Sequence, residues 1–197
     1  MFDRSDFTVF ADPTLVGRLA AIRQRVDPKF ERVGQRLAIA LAQAGVPAQT
    51  LHVAKHQRRH KNPPPDTWVA LAANRRGYKM VPHLELGLWP DRLFLWLAVL
   101  REAKPTTAID WASLRAQALA LPEGFALSGD HTSPAAVPLT AANWTQVQMR
   151  YTATQRGELL IGRTFAAQSA WFDRPAALDA ELDRTVLALA PLYRTLL

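Results

Sequence analysis

Between Leu51 and Leu100 short apolar runs alternate with connections that no strand interior tolerates, and this stretch constrains the fold most. His83 to Trp89 alternates cleanly, with Leu84, Leu86 and Leu88 on one side and His83, Glu85 and Trp89 on the other, the period of a β-strand. Thr67 to Ala73 reads as a second strand. Before it, Asn62 to Asp66 carries three prolines, which cannot sit inside a sheet. After it, Asn74-Arg75-Arg76-Gly77 is a turn that glycine permits. Trp89-Pro90-Asp91-Arg92 places proline where a type I turn wants it. Leu51 to Arg59 reads as a strand, with His52, His56 and His60 sorted to one side. Leu93 to Leu100 fits a strand or a helix face equally, and pattern alone does not separate them.

Composition narrows the class. At 197 residues the chain is most simply one domain, long enough to bury roughly 70% of its unfolded surface. It contains no cysteine, which removes disulfides, thiolate metal sites and cysteine nucleophiles. The first ten residues lack the apolar core of a signal peptide, and Leu93 to Leu100 is the longest apolar run, far short of the roughly 20 residues of a membrane span. A cytoplasmic protein without a membrane partner is expected. The net charge of +7 raises the prospect of an anionic partner, a small molecule or a nucleic acid.

Outside the centre the pattern is largely helical. Leu15, Leu19, Ile22 and Val26 line one helix face. Asp27-Pro28 should interrupt it, with Asp27 capping a second helix that turns Phe30, Val33, Leu37 and Leu41 inward and stops at Gly45. Later elements are a helix over 107–121, a strand over 125–128, a helix over 140–156, a strand over 158–165, and a helix from Pro175 to about Ala190 that Pro191 bends or ends.

The motifs HVAKHQRR, NPPPDTWVA, NRRGYKM, PHLELGLW and FLWLAV, in this order and spacing, resemble the YktB-like family of uncharacterised bacterial proteins. RLAAIRQRVDPKFERVGQRLA (residues 18–38), Gly129-Asp130-His131-Thr132 and Leu189 to Tyr193 fit as well, so the likeness covers essentially the whole chain. The sequence departs from that pattern at His60, where a small polar residue is usual, and through Thr164 to Trp171. The resemblance implies a single α+β domain, a mixed sheet of about six strands with helices packed on it, and a strand at Leu93 to Leu100. It implies no activity and no cofactor.

Candidate chemistry comes from the residues themselves. His52, His56 and His60 have the spacing of a helical metal site. On a strand, however, four residues span about 13 Å, too far to share one ion, so no metal is expected there. Arg76-Gly77-Tyr78 with Val81 partly matches an RNA-binding strand, but Pro82 would break it. No phosphate loop, dinucleotide fingerprint or nucleophile elbow is present. What remains is a polar sheet face of His52, His56, His83 and Glu85, rimmed by Arg58, Arg59, Arg75, Arg76 and Lys79, with Asp130-His131 following a later strand. This set suits an anionic ligand. The alternatives are a small enzyme using the His, Asp and Glu groups, or a structural protein whose basic surface keeps it dissolved.

Overall fold

The register of one sheet organises the chain. A computed structural model describes residues 1–197. Its strands are β1 (Thr50–Val53), β2 (Thr67–Ala72), β3 (His83–Trp89), β4 (Arg92–Val99), β5 (Ala126–Ser128), β6 (Val137–Pro138) and β7 (Leu159–Ala166). They lie in the order β1-β2-β3-β4-β7-β5-β6, every pairing antiparallel. The α+β class therefore stands, with seven strands instead of about six and an antiparallel sheet instead of a mixed one. The connections from β2 to β3 and from β3 to β4 are too short for the crossover that a parallel pair needs.

One row of side chains crosses the sheet through Leu51, Leu71, Leu84, Leu97, Ile161 and Leu127. On this face pack α2 (Asp27–Gln43), through Phe30, Val33, Leu37 and Leu41, and α5 (Pro175–Leu196), through Leu178, Leu182, Val186 and Leu189. Arg36 ties the two helices together, 2.8 Å from Asp179 and 2.9 Å from Asp183. The shorter helices α3 (Trp111–Leu119) and α4 (Ala141–Ala153) begin at side-chain caps from Asp110 and Thr140. No helix is long and apolar enough to cross a membrane.

The opposite face carries no helix from the central stretch. Phe94, Trp96, Ala98 and Leu160 form a second, smaller apolar cluster there with Trp89. Two glycines make room for its rings. A Cβ at Gly87 would lie 2.1 Å from Phe94 Cζ, and one at Gly162 would lie 1.9 Å from Leu95 O and 2.8 Å from Trp96 Cε3. Because both faces of β4 are buried, its sequence is continuously apolar. The strand that the resemblance favoured for Leu93 to Leu100 is the one formed.

Three expectations fail locally. Helix α1 (Leu15–Ala21) does not end at Asp27-Pro28 but runs on into α2 through a π turn, Ile22–Val26. The Asp27 N–H donates to Ile22 O, five residues back, and the widened turn accommodates a proline that would clash in a regular helix. Asp27 is thus inside the helix and caps nothing. Pro191 does not end α5, because Leu192, Tyr193 and Leu196 beyond it are buried and their packing outweighs the loss of one helical bond. Finally, β1 stops at Val53 instead of reaching Arg59. His56 takes a left-handed backbone, φ 50°, and Arg59 N–H closes a turn on His56 O.

Candidate functional site

The helix-free face gathers Asp66, His83, Glu85 and Glu158, four of the buried ionisable groups of the chain. Register places His52, Ala70, Glu85 and Trp96 in one row, with His83 beside Ala98. The alanines leave space above the sheet, and the connections 54–66 and 73–82 fold into it. His83 is fully buried and Glu85 is 4% exposed. His83 Nδ1 lies 2.8 Å from Val81 O and Nε2 lies 3.1 Å from Glu85 Oε1. A carbonyl only accepts, so Nδ1 carries a hydrogen. The contact to Glu85 joins the two side chains in the interior.

From the 73–82 connection comes Tyr78, whose hydroxyl accepts from Trp68 Nε1 at 2.9 Å and whose ring meets His83 edge-on at 4.9 Å. Burial, with the nearby Glu85 charge, raises the phenol well above its ordinary range. From the 54–66 connection comes Asp66, pushed up to about 6 by burial first and by Glu85 second, against the opposing charges of Arg59 and His131. His56 sits against Trp68, rings 5.5 Å apart, with Nε2 3.2 Å from Thr67 Oγ1. Burial, aided by Arg59 and Arg23, lowers it to about 4, so it is neutral at pH 7. His52 Nε2 donates to Asn74 O at 2.9 Å.

A third segment, 129–136, brings His131. Its Nδ1 lies 2.7 Å from Glu158 Oε2, and its backbone N–H donates to the same oxygen at 2.8 Å. Burial works against both charges, yet the bond wins at each end. The imidazole is raised and the carboxyl lowered from their ordinary values. The charges of Glu85 and Lys79 also act on His131, which puts this dyad and the His83–Glu85 pair within electrostatic reach of each other.

The structure thus unites His83, Glu85 and His131 among the candidates read from the sequence, and sets His52 and His56 at the margin. Asp130 lies next to His131 but spends its hydrogen bonds on its own loop, where Oδ1 accepts from Thr132 N and Oγ1. His60 is exposed and takes no part. Arg58, Arg59, Arg75, Arg76 and Lys79 are all exposed and form no ion pair. Antiparallel pairing sends the 54–66 connection to one end of β2 and 73–82 to the other, so the two arginine pairs do not converge. Asp66, Trp68, Tyr78 and Glu158 were not anticipated. Asp66 follows three prolines and Glu158 immediately precedes β7, and no local pattern reports that either is buried.

Ligand atoms of Asp130, His131 and Glu158 lie within 4.8 Å of one another, close enough to hold a cation. This group is distinct from the His52/His56 spacing considered above. Glu158 Oε2 already accepts two bonds from His131, and Arg150 stands 4.0 Å from Asp130, so an ion would have to displace the first and tolerate the second.

Comparison with known proteins agrees with the motifs. Residues 2–193 match the model of a domain of unknown function, DUF1054. A UPF0637 protein of Lacticaseibacillus casei is 42% identical over 193 residues, covering 98% of this chain and 96% of its own. One from Levilactobacillus brevis is 43% identical over 199 residues, covering 100% and 99%, and one from Listeria innocua is 33% identical over 198 residues, covering 100% and 97%. None of these names carries an activity. With nearly the full length matched at this identity, the chain belongs to the uncharacterised DUF1054/UPF0637 family, the one whose YktB-like motifs run through its central sheet.

Proposed function

We propose that this protein binds a small anionic molecule on the helix-free face of its sheet. Lys79, whose charge acts on His131, meets the anionic group at the rim, while Asp66 and the Nε2 edge of His131 hydrogen-bond the rest of the ligand over the buried His83–Glu85 pair. One observation carries the reading: four ionisable groups, Asp66, His83, Glu85 and Glu158, are buried under the connections with half-buried His131 beside them, although burial of each carries a desolvation cost that apolar residues would avoid. The separation of Arg58 and Arg59 from Arg75 and Arg76 favours a small ligand over a nucleic acid, which needs a continuous track of cations. A cytoplasmic location belongs to the same proposal, supported by a composition that requires no oxidising compartment.

Acid–base catalysis is the second reading. It is favoured by Asp66, whose carboxyl, raised to about 6, can gain and lose a proton near neutral pH. The binding reading is tested by a thermal-shift screen of phosphate esters, nucleotides and dicarboxylates at pH 6 and pH 7.5. A hit whose shift is reduced in Lys79→Ala supports it. Absence of any hit, or hits that ignore the substitution, overturns it. Affinity for RNA or DNA that falls steeply with salt would replace it with the polyanion reading.

A further inference from the structure

A cavity of about 300 Å³ lies between α4 and the 129–137 loop, beside the sheet-face cluster but lined by other residues. Its size falls at the small end of ligand pockets, about 300–1,000 Å³. The wall is apolar at Leu127, Ala136 and Val147, and polar where Arg150 and Gln146 reach in from α4 and Asp130 from the loop.

The charged pair in this wall is open. Arg150 Nη2 stands 4.0 Å from Asp130 Oδ2, beyond hydrogen-bond distance. Asp130 satisfies only its other oxygen, which accepts from Thr132 N at 2.9 Å and Thr132 Oγ1 at 2.6 Å. Those bonds fix the carboxylate and leave Oδ2, the oxygen nearer Arg150, without a hydrogen bond of its own. The Arg150 guanidinium and the Gln146 amide make no hydrogen bond within the chain. A cation and an anion are thus held side by side with unused bonding capacity on one wall.

Such a wall discriminates by charge pattern. A simple carboxylate gains at Arg150 and is repelled by Asp130, and a simple amine meets the reverse. A ligand with an ammonium and a carboxylate on one carbon gains at both, the carboxylate taking the planar guanidinium and the ammonium taking Asp130 Oδ2. We propose that this cavity binds a free α-amino acid with a small or medium apolar side chain, which packs on Leu127, Ala136 and Val147. The site does not depend on the sheet-face reading, since it uses neither Lys79 nor the buried histidines.

Titration calorimetry with L-valine and with its two half-molecules, isobutylamine and isovalerate, tests the inference, and L-alanine and L-leucine bracket the side-chain size. At least one of the three amino acids should bind, and valine should bind at least tenfold more tightly than either half-molecule. Arg150→Ala, at a half-exposed position, should weaken amino-acid binding at least tenfold with the circular dichroism spectrum unchanged. Asp130→Asn keeps the acceptor for Thr132 and should weaken amino-acid binding by a similar factor without weakening isovalerate. If no amino acid binds, if the half-molecules bind as well as valine, or if folded Arg150→Ala retains wild-type affinity, the inference is wrong. Should Asp130→Asn fail to fold, the half-molecule comparison on the wild-type protein decides alone.

Discussion

His131 and Glu158 are joined twice, through the imidazole Nδ1 and through the backbone N–H, and both bonds fall on one carboxylate oxygen. The pair fastens the 129–136 loop to the start of β7. His131 has a raised value, so its contribution is present below the ordinary histidine value of 6.5 and is lost as pH rises through the folded value. Glu158 has a lowered value, so its contribution is present above 4.5 and is lost as pH falls through the folded one. Between 4.5 and 6.5 both act. Glu158→Ala should therefore cost about 3–5 kcal/mol in urea unfolding near pH 5.5, because it strands a partly buried charge. Glu158→Gln should lower the His131 midpoint in an NMR titration.

Asp66 behaves in the opposite sense. A carboxyl raised to about 6 holds its proton longer in the folded chain than in the unfolded one, so stability falls as pH rises from about 4 through 6. Asp66→Asn should remove that slope and stabilise the protein at pH 7.5 by on the order of 2–3 kcal/mol, the linkage equivalent of the shift. Denaturant midpoints measured from pH 4 to pH 8 for both proteins would show it. A variant less stable than wild type at pH 7.5 would mean that the ionised carboxylate makes a favourable contact.

Close packing of the second face gives a steric prediction. Gly162→Ala puts a Cβ 1.9 Å from a backbone oxygen that cannot move without disturbing the β4–β7 ladder. A loss of about 3 kcal/mol or more is expected. Gly77→Ala, with nothing within 4 Å of the new atom, should change stability by less than about 0.5 kcal/mol. Equal effects at the two positions would contradict the sheet register.

How far the sequence could be read follows from which forces are local. The alternation of β3 and the Pro90-Asp91 turn are local, and that hairpin forms as expected. Leu93 to Leu100 has no alternation because Phe94, Trp96 and Ala98 are buried on the second face while Leu93, Leu95 and Leu97 are buried on the first. His56 alternates correctly on paper, yet its left-handed backbone ends the strand, and periodicity cannot report a sign of φ. The His83–Glu85 pair was legible as two residues on one face. The Glu158 partner of His131, 27 residues away, depends on how β7 and the loop after β5 meet, which is tertiary. The cations were expected to rim the polar face; they are exposed on its connections, at both ends of β2, with Asp66 and Glu85 buried between.

The central claim is that the ionisable cluster on the helix-free face is where a ligand engages. His83 and His131 lie in it and His60 lies outside it, so histidine-selective NMR during a titration with inorganic phosphate tests it directly. The account predicts that His83 and His131 signals move saturably at millimolar phosphate, that His60 stays still, and that Lys79→Ala suppresses the movement. Signals of His83 and His131 that do not move, or that move no more than that of exposed His60, would contradict it.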